Sequence, residues 1–177
     1  MRIIGGKYKS RIIKVPAKLK ARPTTDFARE NLFNILNNII DWEETTALDL
    51  FSGTGSISFE LASRGCPRVV SIENNSLHHK FICNTKDTLK ADEVLPLRTD
   101  SFKFISSSKE KFDLIFADPP YDLESLNTIP DTIFKNELLN DNGFFIFEHS
   151  MNNDFSEHKN LWKEKKYGSV HFSIFKK

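Results

Sequence analysis

The sequence predicts an α/β fold whose sheet is mainly parallel, with helices on both faces. Between residues 46 and 148, short apolar runs alternate with helix-like stretches, the pattern expected of successive βα units. A glycine-rich turn, Ser52-Gly53-Thr54-Gly55, follows the first of these runs directly, as it does where a strand turns tightly into a ligand-binding helix. With 177 residues, 39% of them hydrophobic and 28% charged, the chain has the length and composition of one globular domain with its own core.

The elements follow in order. Arg2-Ile3-Ile4, a Gly5-Gly6 turn signal and a β-leaning run from Tyr8 to Val15, stopped by Pro16, predict a small β-hairpin. Ile12 and Ile13 are adjacent, which breaks the alternation and predicts a bulge or twist. Thr25 is the expected N-cap of a helix that carries Asp26 at its positive end and apolar residues at Ala28, Leu32, Ile35, Leu36 and Ile39. Strands are then expected at 46–51, 69–72, 94–97, 112–117 and 143–148, and helices at 56–64 and 77–89. Two further runs, 162–167 and 169–175, meet at Gly168 as an antiparallel hairpin at the sheet edge. A soft boundary near Pro23 separates a basic arm, residues 1–22, from a domain of residues 23–177.

The formal charge of +1 conceals a lopsided distribution. Residues 1–22 hold Arg2, Lys7, Lys9, Arg11, Lys14, Lys18, Lys20 and Arg22 and no acid, so the rest of the chain is net acidic. A basic arm on an acidic body suits a protein that meets polyphosphate with one surface, and Tyr8 adds a ring that could stack on a base. No apolar stretch approaches the ~20 residues that cross a bilayer, the basic start has no signal-peptide core, and Cys66 and Cys83 form no Cys-x-x-Cys pair. The expectation is a cytoplasmic monomer with no membrane contact, no disulfide framework and no bound metal.

An acid recurs at or beside the carboxyl end of each of the first four sheet strands: Asp49, Glu73, Asp100 and Asp118. Each alone could cap the helix that follows. Together they predict a negative cleft where open α/β sheets bind ligands. Two such carboxylates ~8 Å apart repel by about 2 kcal/mol at an effective dielectric of ~20, so NAD would enter at a cost. A third fingerprint glycine is also missing, because position 58 is Ser58. S-adenosylmethionine fits better, having a sulfonium and no phosphates, and Glu73 could accept its ribose hydroxyls.

Asp118-Pro119-Pro120-Tyr121 follows the fourth strand. Two prolines fix φ and remove two N–H donors, which leaves a stiff turn whose carbonyls can face a ligand. The Asp118 carboxylate and the Pro119 carbonyl could accept both hydrogens of a nucleobase amine and aim its lone pair at a methyl donor. Tyr121 could stack on the extruded base.

Over nearly its whole length the sequence resembles the bacterial small-subunit rRNA guanine-N2 methyltransferases. The resemblance rests on Arg2-Ile3-Ile4-Gly5-Gly6-Lys7-Tyr8, Arg22-Pro23-Thr24-Thr25-Asp26, Asp49-Leu50-Phe51-Ser52-Gly53-Thr54-Gly55, Asp118-Pro119-Pro120-Tyr121 and Glu148-His149-Ser150. It implies a Rossmann-like class I methyltransferase that uses S-adenosylmethionine on one guanine of 16S rRNA in the small ribosomal subunit. It further implies Asp49, Gly53, Gly55, Glu73, Asp100 and Ser101 as cosubstrate residues and Asp118 through Tyr121 as catalytic residues. Phe51 and Asn74, in the same two turns, are further cosubstrate candidates, and Arg2, Lys7, Tyr8, Lys9, Arg11, Arg22 and Thr24, in and beside the basic arm, are the expected RNA contacts. The sequence departs from the family pattern at Ser71 and Glu73-Asn74. The tetrapeptide is shared with adenine-N6 DNA methyltransferases, which are the alternative enzymes; a non-catalytic RNA-binding module is the alternative from another class.

His78 and His79, adjacent on a helix, point about 100° apart and are read as surface residues. His149 is read as a hydrogen-bonded structural histidine. Lys163, Lys165 and Lys166 suit either an extension of the RNA surface or a solvated edge strand.

Overall fold

The computed structural model describes residues 1–19 and 26–177. Seven strands, β1 (Thr46–Leu50), β2 (Arg68–Ile72), β3 (Val94–Leu97), β4 (Phe112–Ala117), β5 (Leu139–His149), β6 (Leu161–Tyr167) and β7 (Val170–Lys176), form one sheet in the order β3-β2-β1-β4-β5-β7-β6. The first five run parallel, while β7 pairs antiparallel with both β5 and β6. Helices α1 (Asp26–Leu36), α2 (Ser56–Arg64), α3 (Ser76–Leu89), α4 (Ser101–Ser107) and α5 (Ile129–Lys135) cover the two faces. The predicted α/β class, its parallel sheet and its antiparallel C-terminal hairpin are all present.

Alternation along the buried strands sorts the core into two layers. On one face Leu32, Phe33, Leu36, Phe59 and Ile82 pack against Ala47, Val69, Leu114, Ile146 and Phe172. On the other, Ile105, Ile129 and Ile133 pack against Leu48, Leu50, Val70, Ile115 and Phe145. Cys66 lies inside the first layer, where burial pushes its thiol up to about 12 and leaves it unreactive. Because β1 and β4 are neighbours, the strand order reverses between them, and ligands of open α/β sheets collect beyond the carboxyl ends at such a point. Asp49, near the end of β1, and Asp118, just past β4, belong to those ends.

Three elements differ from the sequence reading. α1 ends at Leu36, so Ile39, expected on its apolar stripe, lies in the turn beyond the helix and is exposed. β5 begins at Leu139 rather than 143, carrying the polar Asn140, Asp141 and Asn142 through a register shift; Asn140 is secured there by a 2.7 Å bond from its amide to Asp113. The N-terminal hairpin is reduced to one antiparallel bridge, Arg2 to Ile12, flanked by bonds from Ile3 N to Arg11 O and from Ile13 N to Met1 O. The N–H groups that a longer ladder would use turn to α2 instead. Ile4 N and Gly5 N donate to the buried Glu60 carboxylate, Lys7 N to Ser63 O and Tyr8 N to the Ser63 hydroxyl. Gly6 makes this docking possible, since its φ is +72° and a Cβ there would lie 1.7 Å from Ser63 O. Ile3 and Leu19, both in residues read as an arm, are buried. Pro23, its boundary, and Thr25, the expected cap of α1, lie outside the described residues.

Candidate active site

The turn after β1 is built by backbone geometry. Phe51, Gly53 and Gly55 all have positive φ, at 59°, 55° and 76°. For Phe51 this conformation costs on the order of 1–3 kcal/mol, which surrounding contacts must offset. They include Ser52 N to Ile72 O at 2.9 Å, Gly55 N to Ser52 O at 2.7 Å and Gly53 N to a Glu73 carboxylate oxygen at 2.8 Å. Gly55 also has no room for a side chain, because a Cβ would meet Phe59 at 2.9 Å. Glu73 thus ties the end of β2 to this turn, its other oxygen accepting from Asn75 N at 2.6 Å. Each carboxylate oxygen keeps capacity for a further donor, such as a ribose hydroxyl.

A cavity of about 820 Å³ opens beyond the strand ends, within the range of small-molecule sites. It is lined by Phe51, Gly53, Glu73, Asn74, Asp100, Ser101 and the whole of Asp118-Pro119-Pro120-Tyr121. Six of the eight expected cosubstrate residues and all four expected catalytic residues therefore meet in one hollow. Asp100 fills two places at once: its side chain accepts from Lys103 N at 3.0 Å as the N-cap of α4, and it lines the cavity. Capping and lining were competing readings of these acids, and here they coexist. The hollow, with acceptors at Glu73 and Asp100 and an aromatic edge at Phe51 and Tyr121, has the acceptor set and size that S-adenosylmethionine requires.

Asp49 corrects the expected four-acid cleft. It is 2% exposed, and one carboxylate oxygen accepts from both the backbone N–H and the hydroxyl of Ser58, whose hydroxyl lies 2.8 Å from that of Ser71. Burial, opposed by those bonds, pushes Asp49 up to about 7, so near neutral pH it contributes only part of a negative charge. Gly55 lies in the turn rather than on the cavity wall. Ser58, read only as the absence of a third glycine, is the partner that holds Asp49, and Ser71, a departure from the family pattern, completes the same buried cluster.

On the α1 side of the turn lies a second, smaller cavity of about 280 Å³. Phe51, Gly53 and Asp118 line both, and Asp26, Arg29, Asp49 and Ser56 line only this one, with Met1, Val15 and Leu19 supplying apolar wall. Arg29 went unnoticed in the sequence. Its signal was a cation on the apolar side of a helix, four residues before Phe33 and beside Ala28, both buried.

Among the expected RNA contacts, Lys9 and Arg11 are exposed, as are Lys14 and Lys18 nearby. Arg2 pairs with Asp26 at 3.2 Å, and Lys7 pairs with Glu93. Tyr8 is less open than its sequence position suggests: it is half-buried against the core, its hydroxyl donates to Lys90 O at 3.4 Å, and the Lys7 ammonium sits 4.9 Å from its ring centre. Arg22 and Thr24 lie outside the described residues. His149 is 1% exposed at the end of β5, between Ser173 Oγ at 2.8 Å and Ser150 O at 2.9 Å. Burial lowers its pKa, so it is a neutral structural residue, and it lines neither cavity.

Known proteins resemble the chain in sequence and in fold. The Ribosomal RNA small subunit methyltransferase D of Buchnera aphidicola subsp. Baizongia pistaciae is 30% identical over 99% of this chain and 91% of its own length. The protein of the same name from Escherichia coli K12 is 28% identical over 100% of this chain and 90% of its own. The solved structure of the yhhF protein of Escherichia coli superposes with a TM-score of 0.87 at 27% identity, covering 100% of this chain and 97% of that one. Since the family model described as "Conserved hypothetical protein 95" matches residues 1–176, all but the last residue, the chain belongs to that family.

Proposed function

We propose that the protein is an enzyme that transfers a methyl group from S-adenosylmethionine to the exocyclic N2 amine of a guanine in 16S rRNA. We further place it in the cytoplasm, acting as a monomer on the small ribosomal subunit. The observation that carries this reading is the shared cavity: Asp118 through Tyr121 stand in one hollow with Glu73, Asp100 and Ser101. The names of the Buchnera and Escherichia coli relatives support rRNA as the acceptor.

The donor supplies an electrophilic methyl on a sulfonium. What the chain supplies is position. Asp118 and the Pro119 carbonyl accept the two amine hydrogens, which turns the nitrogen lone pair out of the ring plane, and Tyr121 holds the base by stacking. As the N–C bond forms the S–C bond breaks, S-adenosylhomocysteine leaves, and the nitrogen gives up one hydrogen as a proton to Asp118. Glu73 fixes the ribose, and Ser101 with Asp100 flanks the adenine. Holding nucleophile and electrophile about 3 Å apart in line can supply ~7–11 kcal/mol of the barrier reduction, so the site needs no covalent intermediate. Lys9, Arg11, Lys14 and Lys18 form the exposed part of the phosphate-facing surface.

The test is a map of methylated guanines in rRNA from cells lacking the gene. One guanine N2 mark should vanish and return on complementation with the wild-type gene, but not with Asp118→Ala. An unchanged map in the deletion strain would reject the assignment.

A further inference from the structure

β6 is the outermost strand of the sheet, and since both it and β5 pair antiparallel with β7, it runs in the same direction as β1 to β5. Its last residue, Tyr167, therefore lies on the edge that holds the candidate active site. The registers set the level: Ala117 pairs with Phe147, Phe147 with Ser173 and Ser173 with Glu164. Lys165 thus stands on the row of Asp118, three strands or about 14 Å away.

Lys163 and Lys165 pair with Ile174 and Phe172, which belong to the core layer shared with α1, so both lysines lie on the α1 side of the sheet. Lys166 alternates to the opposite face. Neither Lys163 nor Lys165 has an ion-pair partner among the described residues. Aromatic rings are interleaved with them. Tyr167, next on the same face, rests on Phe172 with ring centres 6.2 Å apart and meets Phe27 edge-on at 6.0 Å. Phe27, in the first turn of α1, is 68% exposed. Toward the start of the strand Trp162 is also exposed, with the Lys163 ammonium 5.2 Å from its ring centre.

Lysine on an edge strand is enough to deter pairing with another sheet, but that role needs no exposed phenylalanine. Rings interleaved with unpaired cations suit single-stranded nucleic acid, whose bases stack on the rings while its phosphates meet the cations. Asp26, beside Phe27, pairs with Arg2 at 3.2 Å, so the start of α1 joins the basic N-terminal segment to β6. The other half of the same edge carries Glu73 and Asp100, whose carboxylates repel a phosphate backbone and steer it to the β6 side.

Resting on the rRNA methyltransferase reading, we propose that the α1-side face of β6, with Phe27, Lys163, Lys165 and Tyr167, binds the single-stranded rRNA that flanks the target guanine. Phe27 stacks on a flanking base, and the two lysines take phosphates.

Small ribosomal subunits from a strain lacking the gene are the probe, bound to the intact protein across a salt series. Phe27→Ser should weaken subunit binding about fivefold or more. Replacing Lys163 and Lys165 together by Gln should flatten the log–log salt slope by roughly 0.7–0.9 for each phosphate no longer neutralised, whereas Lys109→Gln, an exposed lysine just before β4 at the opposite edge, should leave Kd within about twofold. Each variant should keep its affinity for S-adenosylhomocysteine within about twofold by calorimetry, which also shows that it is folded. UV cross-linking of the wild-type complex should join a nucleotide to the peptide of Phe27 or Tyr167. Unchanged Kd and salt slope in the Phe27 and lysine variants would overturn the assignment, as would losses matched by Lys109→Gln, or cross-links from this face to a ribosomal protein. Should a variant not fold, the wild-type map decides: nucleotides only on other peptides overturn the assignment. Binding and cross-linking need no turnover, so wild-type protein that binds subunits through this face without transferring methyl would defeat the methyltransferase reading alone.

Discussion

Asp118 and Asp49 stand at the ends of neighbouring strands and answer to different physics. Asp118 is half-buried on the wall of both cavities, so Asp118→Ala should abolish methyl transfer. The same variant should change S-adenosylhomocysteine affinity by less than about threefold, as read by calorimetry beside a transfer assay. Asp49 is enclosed, and its raised pKa links it to stability. Its ordinary value of 3.8 is lifted to about 7 in the fold, so between those values the native state keeps a proton that the unfolded chain releases. Wild-type stability from this group is greatest below about pH 4 and falls as pH rises toward about 7. Urea unfolding of Asp49→Asn should accordingly lack this decline, and the variant should gain on wild type between about pH 4 and pH 7; a difference constant with pH would refute the linkage. The acids themselves were legible as residue types at strand ends. Their orientations were not, because which way a carboxylate turns depends on Ser58 and Ser71, brought to it from other elements.

The N-terminal segment is the element where local signals and tertiary demand parted. Gly5-Gly6 between β-leaning residues correctly marked a reversal of the chain. The extent of the strands was invisible, since Glu60 and Ser63, 55 or 56 residues away, take the N–H groups that a longer ladder would have used. Gly6→Ala should therefore undock the turn from α2, because both its φ and its approach to Ser63 O exclude a Cβ. Hydrogen exchange at residues 4–8 should accelerate by at least about tenfold, with exchange in the central strands little changed. Gly55→Ala strikes the other critical turn and should weaken S-adenosylhomocysteine binding as well as stability, by about 1–3 kcal/mol in urea unfolding. By contrast, β1, β2 and β4 were readable to within a residue, because a strand buried on both faces leaves a continuous apolar run.

At the scale of the whole molecule, charge separation and the reversal point of the sheet put two ligands on one edge. The basic segment contributes Met1, Val15 and Leu19 to the smaller cavity, whose wall also includes Asp118, so the proposed RNA surface borders the proposed site of methyl transfer. Deleting residues 1–22 would also remove the buried Ile3 and Leu19, mixing weaker binding with weaker stability. Replacing Lys9, Arg11, Lys14 and Lys18 by Gln avoids that. The log–log salt slope of RNA binding should then flatten by roughly 0.7–0.9 for each phosphate no longer neutralised, with S-adenosylhomocysteine affinity unchanged.

The identity of the acceptor atom is the central claim, and one assay reads it directly. Purified protein, labelled S-adenosylmethionine and small subunits from a strain lacking the gene should yield, after digestion to nucleosides and mass spectrometry, labelled N2-methylguanosine and no other methylated nucleoside, with none from Asp118→Ala. Label in any other nucleoside, no label in rRNA at all, or label recovered as N6-methyladenine when duplex DNA replaces the subunits, would contradict it.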